Sequence, residues 1–363
     1  MDASTIIQNQ SFGQNEWAGR CEYWQKKSEI RSEKRKRREK ETQPLILTGH
    51  GISITVHRGT LLIKDGNTHY PAQGCVYRFF KGELSIPPRI VLVDGSGNIT
   101  LDALDWMAAQ KVDLIRLKYD GEVISAINGA GYSADPKMVA WQNEIRTNPS
   151  KRMSFAINLI KEKTNATLFN LENLLPPSIS RDKAIDQAKL ALKTFRAKPP
   201  KSIAQLLAIE GAVAQGYFFA WRALQIKWKA ESRYPIPEEW KRYFSRSSLN
   251  DCTTRYNRNA THPINAMLNY AYKILESQTR IEVVASGYDP KLGILHDNPK
   301  HRADSFVFDM MEPKRPVVDR VTLRLVADQR LSGADYAIRQ DGVCRSNPGL
   351  TKALTQTLVG YEV

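Results

Sequence analysis

Cysteine is scarce in this 363-residue chain. There are four, Cys21, Cys75, Cys252 and Cys344, far apart and forming no CxxC pair. A disulfide framework and a zinc knuckle are therefore excluded, and reduced thiols in a cytosol are the expectation. Long apolar runs are also lacking: no stretch approaches the roughly 18–20 uninterrupted apolar residues of a spanning helix. The opening MDASTIIQNQSFGQNEW has no basic start followed by an apolar core, so no secretion signal is expected. No GxSxG, HExxH, GxGxxG or Walker lysine occurs, which argues against serine-hydrolase, zincin and phosphate-loop chemistries. Negative charge is in deficit, with 38 Asp and Glu against 53 Lys and Arg and a net charge of +15. An excess of that size favours phosphate-rich partners, nucleic acid first among them.

The remaining composition, 42% hydrophobic and 25% charged, is that of a globular protein of about two domains. Residues 1–43 stand apart as a basic N-terminal extension. Within them Lys26 to Glu41 carries nine basic and four acidic side chains, with Ile30 its only apolar residue. Such a segment is a solvated helix or a disordered arm. From Pro44 the pattern alternates as in strands. ISITVH and TLLIKD flank Arg58-Gly59, a two-residue hairpin turn. RIVLVDGSGNIT reads as a buried strand running into a tight glycine-rich turn, after which Thr100 caps a short helix, LDALDWMAAQ. DLIRLKY and EVISAI return to strand. Residues 44–131 are thus a β-rich domain with one helix.

After Tyr132 the apolar period becomes helical. Helices are expected over 136–163, 181–195, 202–229 and 263–278, making residues 132–335 a larger all-α domain. The last segment, 336–363, reads as a C-terminal tail. The fold class is α+β.

Certain carboxylates fall where they are costly. On the stripe Leu206/Leu207, Val213, Tyr217, the helical step lands on Glu210. A carboxylate there needs a cation, a metal or strong donors; a buried Glu–Arg pair and a ligand are both open. In SFVFDMMEPKRPVVD, Asp309 and Glu312 lie at i, i+3 on one face of an apolar helix that Pro313 must end or kink. His296 closes the run GILH, and Asn265, Asn269 and Tyr272 form a polar stripe on another helix. One histidine and three carboxylates from two or three segments suit Mg²⁺ or Mn²⁺, the imidazole shading the choice toward Mn²⁺.

At these residues the sequence resembles the CRISPR-associated spacer-acquisition integrase family. The matching pieces are LTGHGISITVHRGTLLI, IVLVDGSGNITLDALDWMAAQKVDLI, AINLIKEKTNATL, EGAVAQGYF, NAMLNYAYKIL and GYDPKLGILH…SFVFDMMEPKRPVVDR, in that order, over about residues 45–330. The resemblance implies that Glu210, His296 and Glu312 are metal ligands and that Asp309 is a further catalytic acid. It also implies DNA as substrate and dimerisation through the β-rich domain, giving a homodimer that assembles with a small companion adaptation protein. The reaction implied is phosphodiester transesterification, which joins 3′-hydroxyl ends of captured DNA into a repeat array. A metal-dependent nuclease or junction resolvase without integration, and a non-catalytic DNA-binding scaffold, are the alternatives. Lys227, Lys229, Arg233, Lys241, Arg242, Arg255 and Arg258 are candidates for holding DNA backbone.

Overall fold

The computed structural model describes residues 19–24, 40–41, 43–67, 74–118, 123–127, 134–246, 260–296, 304–339 and 342–360. It is a mixed α+β structure, with a sheet in the N-terminal part followed by a mostly helical region. Two compact units emerge. The first comprises Met1–Tyr132, Asn269–Ser277 and Ala334–Val363; the second comprises Ser133–Leu268 and Gln278–Gly333.

The first unit is built on a six-stranded mixed sheet. Its strands are β1 (Leu45–His57), β2 (Thr60–Lys64), β3 (Val76–Phe79), β4 (Arg89–Ile99), β5 (Asp113–Leu117) and β6 (Val123–Ile127). They lie in the order β3-β2-β1-β4-β5-β6. β1 and β2 form the expected hairpin, closed by the pair His57 and Thr60, with Arg58 (φ 50°) and Gly59 (φ 77°) both in the left-handed region that a primed turn requires. β1–β4 and β4–β5 are parallel. α1, described over residues 19–24, precedes the sheet. α2 (Leu101–Gln110) crosses it, capped as expected by the Thr100 side chain accepting from Ala103 N. Trp106 and Met107 of α2 pack on Ile52, Ile54, Leu61 and Ile90.

DGSGN is not a turn. Residues 94–98 continue β4 as a strand, paired with β1 through two register shifts. Gly97 makes this possible: a Cβ there would collide with the Ile52 carbonyl. The turn composition was legible, but the neighbouring backbone was not.

The second unit holds α3 (Pro136–Thr147), α4 (Pro149–Asn173), α5 (Ile179–Ala197), α6 (Ile203–Ala220), α8 (Ser305–Met311) and α9 (Arg315–Ala327), together with both ends of α7 (Pro263–Ala285). The continuous helix expected over 136–163 is broken at Asn148-Pro149. The Asn148 side chain accepts from Ser150 N and Lys151 N, and Pro149 occupies the first turn, where its missing donor costs nothing. α6 ends earlier than expected over 202–229. Residues 221–223 tighten into a 3-10 turn, and beyond them Gln225 bridges to Arg242 and Lys229 to Ser332. Those backbone groups leave the helical ladder for extended pairing. By length and hydropathy Ile203–Ala223 could cross a membrane. Its Leu206 and Val213 instead join Ala156 and Ile160 of α4 and Ala188, Ala191 and Phe195 of α5 in one core.

Residues 336–363 are more than a tail. Tyr336–Ile338 (β7) and Cys344–Ser346 (β8) form an antiparallel hairpin, and Pro348–Gly360 is helix α10. Residues 1–43 are not wholly an arm either. Arg20 grips the fully buried Asp335 with two hydrogen bonds of 2.6 and 2.7 Å, and Trp24 Nε1 adds a third of 2.9 Å.

Candidate active site

α6 and α4 lie side by side, and the physics of a buried charge sets what happens between them. Ser202 caps α6 by accepting from Gln205 N, which starts the helix so that Leu206, Val213 and Tyr217 face inward. Glu210 falls on that stripe. α4 buries Ala156, Ile160 and Thr164, and Lys163 lies on the same face, a helical step from Ile160. The Lys163 ammonium binds Glu210 Oε1 and, at 2.6 Å, Glu312 Oε2. The two carboxylates therefore sit within two hydrogen-bond lengths of each other, bridged by one cation. The partner of Glu210 is thus a lysine, not an arginine.

Glu312 comes directly after α8. As Pro313 required, the helix stops at Met311, and Glu312–Lys314 forms a 3-10 turn before α9. Only 7% of the Glu312 side chain is exposed. Burial pushes its pKa up, but Arg315, Lys163 and His296 together outweigh that and hold it below the usual carboxylate range. Arg315 Nε lies 3.3 Å from Glu312 Oε1.

His296 is presented by a loop held from below. Gln142 on α3, fully buried, donates to the Asp289 and Leu292 carbonyls and accepts from Asp289 N. Arg152 on α4 donates to the Ile294 carbonyl at 2.7 Å. Leu295 enters the α4–α5–α6 core. Gly293 leaves room for the turn, since a Cβ there would meet Ser305 and the His296 carbonyl. Asp309, with no exposure at all, accepts from the backbone N–H groups of Ile294, Leu295 and His296 and from His296 Nδ1 at 2.8 Å. That hydrogen bond raises the His296 pKa; burial opposes it and Glu312 reinforces it.

Asp309, the expected further catalytic acid, accepts four hydrogen bonds on its two oxygens. These contacts fix the loop and the imidazole, leaving Nε2 on the far side of the ring. Glu210 and Glu312 share the Lys163 ammonium, His296 lies near enough to Glu312 to feel its charge, and all three belong to the second unit. Among the described residues, however, no three His, Cys, Asp or Glu side chains stand ready as a metal cluster. The donor set nonetheless fits a hard divalent cation, with two carboxylates and an imidazole on neighbouring elements and a cation already lodged between the acids.

Sequence reasoning missed Lys163, Arg315, Gln142 and Arg152. Lys163 had a signal, a cation one helical step from Ile160 on an apolar stripe. The backbone clamps of Gln142 and Arg152 had none. Of the polar stripe, Asn265 is buried and tied to Tyr243 Oη and the Ser245 carbonyl. Of the DNA-holding candidates, Lys227, Lys229, Arg233 and Arg242 keep some or all of their side chains at the surface. Lys241 is paired with Glu231 and Glu238. Arg255 and Arg258 lie outside the described residues, as does Cys252.

Residues 45–358 match the family described as CRISPR associated protein Cas1. The chain belongs to the Cas1 family. It is 41% identical over 290 residues to a CRISPR-associated endonuclease Cas1 of Korarchaeum cryptofilum, covering 76% of this chain and 75% of that one. It is 26% identical over 330 residues to a CRISPR-associated endonuclease Cas1 of Archaeoglobus fulgidus, covering 87% of both. Among solved structures, a Cas1 protein from Thermotoga maritima shares the fold with a TM-score of 0.62, 15% identity and 88% coverage of each chain. A casposase bound to integration product shares it with a TM-score of 0.66 and 22% identity, covering 88% of this chain and 82% of that one. Membership of the Cas1 family makes a CRISPR-adaptation nuclease or integrase of this chain.

Proposed function

We propose that this Cas1 chain is a metal-dependent DNA integrase. The 3′-hydroxyl of a captured fragment attacks a phosphodiester at the edge of a repeat, and a repeat-side 3′-hydroxyl leaves. One P–O bond forms as another breaks, and the proton of the attacking hydroxyl passes to the leaving oxygen. The exchange is nearly isoenergetic and needs no energy cofactor. What remains is alignment and charge neutralisation.

The observation that carries the reading is the convergence of Glu210 and Glu312 on one cation position, beside an imidazole held by a fully buried aspartate. Glu210, Glu312 and His296 Nε2 would hold Mg²⁺ or Mn²⁺. Bound there, the ion supplies Lewis-acid stabilisation of charge on the transferring phosphoryl group. Asp309 keeps His296 aimed. Arg315, paired with Glu312 at the edge of the same cluster, would add positive charge near a bound phosphate.

The assembly belongs to the same proposal. It is a cytoplasmic homodimer joined through the β-rich unit, bound to DNA and to a small companion adaptation protein. A neighbour of the same fold, 18% identical with a TM-score of 0.60, was solved as a Cas6-RT-Cas1–Cas2 complex, and the casposase was solved on its integration product.

The test supplies short duplexes with 3′-hydroxyls, a supercoiled plasmid bearing a repeat array, and Mg²⁺ or Mn²⁺. Joined product is expected from the wild type and none from Glu210→Ala or His296→Ala. Blocking the 3′ ends should abolish joining; cutting that survives the block points to a nuclease without integration. Activity unchanged by both substitutions would sink the site assignment.

A further inference from the structure

The proposed strand-transfer chemistry assigns no step to Lys163, yet it lies between two of the acids of the site. Its ammonium lies between Glu210 and Glu312, the two acids that the proposed reading assigns to the metal. The three side chains are 17%, 19% and 7% exposed, so the ion pairs are largely shielded from water. Glu210 comes from α6, Glu312 from the turn after α8 and Lys163 from the middle of α4, so one ammonium ties three elements together. Two cationic side chains already lie against these acids, Lys163 between both and Arg315 beside Glu312. A divalent ion added there would compete with Nζ for one oxygen of each carboxylate. It would also meet a cation at hydrogen-bond distance from both oxygens, which like-charge repulsion opposes.

We infer that Lys163 is an exchangeable resident cation: it holds the two carboxylates together in the metal-free enzyme and must withdraw when a divalent ion binds, so that it sets the metal affinity by competition. This inference rests on the proposed metal-dependent reading and adds to it a regulator of the same site. A lysine suits the role. Its ammonium is a compact charge on a flexible four-carbon stem, able to leave one pair of oxygens for water or for an arriving phosphate without moving α4. No bond is made or broken in the exchange. Lys163 is accordingly a positioning residue in the metal-free state.

The test is a Mn²⁺ titration of the full chain in chelator-stripped buffer, followed by loss of the free-ion electron paramagnetic resonance signal, alongside thermal melting in chelator. Lys163→Met should bind Mn²⁺ about tenfold more tightly than the wild type, the equivalent of removing two partly screened ion pairs. It should also melt at a lower temperature without metal. Lys163→Arg, which keeps a cation in place, should bind Mn²⁺ no more tightly than the wild type. A lysine with a merely structural role would lower the melting temperature and leave Mn²⁺ binding alone. Equal or weaker Mn²⁺ binding by Lys163→Met overturns the inference, and so does tighter binding by Lys163→Arg. Glu210→Gln separates the metal site from its regulator. If it abolishes Mn²⁺ binding while Lys163→Met changes nothing, only the role of Lys163 falls. If it binds Mn²⁺ as well as the wild type does, the metal reading falls and the inference with it.

Discussion

Asp309 and Glu312 show how two carboxylates on one helical face can meet different partners. The i, i+3 spacing with Glu312 put both acids on one helical face, and both do point into the same region. Yet three backbone N–H groups of the 294–296 loop fill Asp309, while Glu312 meets side-chain cations. The difference comes from burial: a carboxylate with no exposure must find donors, and the nearest were the amides of a loop packed on it. Asp309→Asn keeps the shape but turns one acceptor into a donor that faces amide donors. Strand joining should fall roughly 10–100-fold, the usual effect of losing an outer partner of a ligating histidine, and the melting temperature should fall with it. Unchanged joining with a lowered melting point would confine Asp309 to stability.

At the scale of the element, α7 begins on an unusual cap. His262 Nδ1 accepts from Ile264 N at 3.2 Å, with Pro263 in the first turn. Accepting there requires that nitrogen to be unprotonated. Burial pushes the His262 pKa down to about 4, against partial opposition from the Arg242 and Trp240 backbone. The unfolded histidine titrates near 6.5. Above that pH both states are neutral and His262 adds no pH dependence. Below it the unfolded chain takes up a proton that the folded chain resists, so stability falls as the pH drops from about 6.5 toward 4. The full gap amounts to roughly 3 kcal/mol. Denaturant melts at about pH 7.5 and pH 5 should show the wild type losing more stability between them than His262→Asn, which retains a neutral cap. Parallel losses would show that His262 does not drive the acid sensitivity.

Across the whole molecule, residues 20 and 24 meet residue 335 inside the first unit. Trp24 is 1% exposed, and Arg20 and Trp24 supply three donors to the buried Asp335. Removing a partner from such a pair strands a buried charge, at about 3 kcal/mol or more. Two truncations separate anchor from arm: deleting residues 1–18 should leave the melting temperature near that of the full chain, whereas deleting residues 1–24 should lower it sharply. Equal melting temperatures would show that Asp335 finds other donors. Composition marks the basic run, most of which lies outside the described residues, but does not show the Arg20–Asp335 pairing, which spans nearly the length of the chain.

What the sequence determined by itself was local or periodic: the β1–β2 hairpin from Arg58-Gly59, the Thr100 cap, the stop of α8 before Pro313, and the inward stripe that carries Glu210. These arise from backbone sterics and side-chain period, which a few adjacent residues set. The carboxylates and the histidine were singled out for the same reason, because each interrupts an apolar pattern. Only the tertiary structure decided that β4 runs on through Gly97, that Lys163 joins Glu210 to Glu312, that Asp309 is saturated by amides, and that residue 335 binds residues 20 and 24. Each of those depends on which distant backbone or charge arrives within a few ångströms. Close packing and the cost of an unpaired buried group select that arrival, and no local pattern records it.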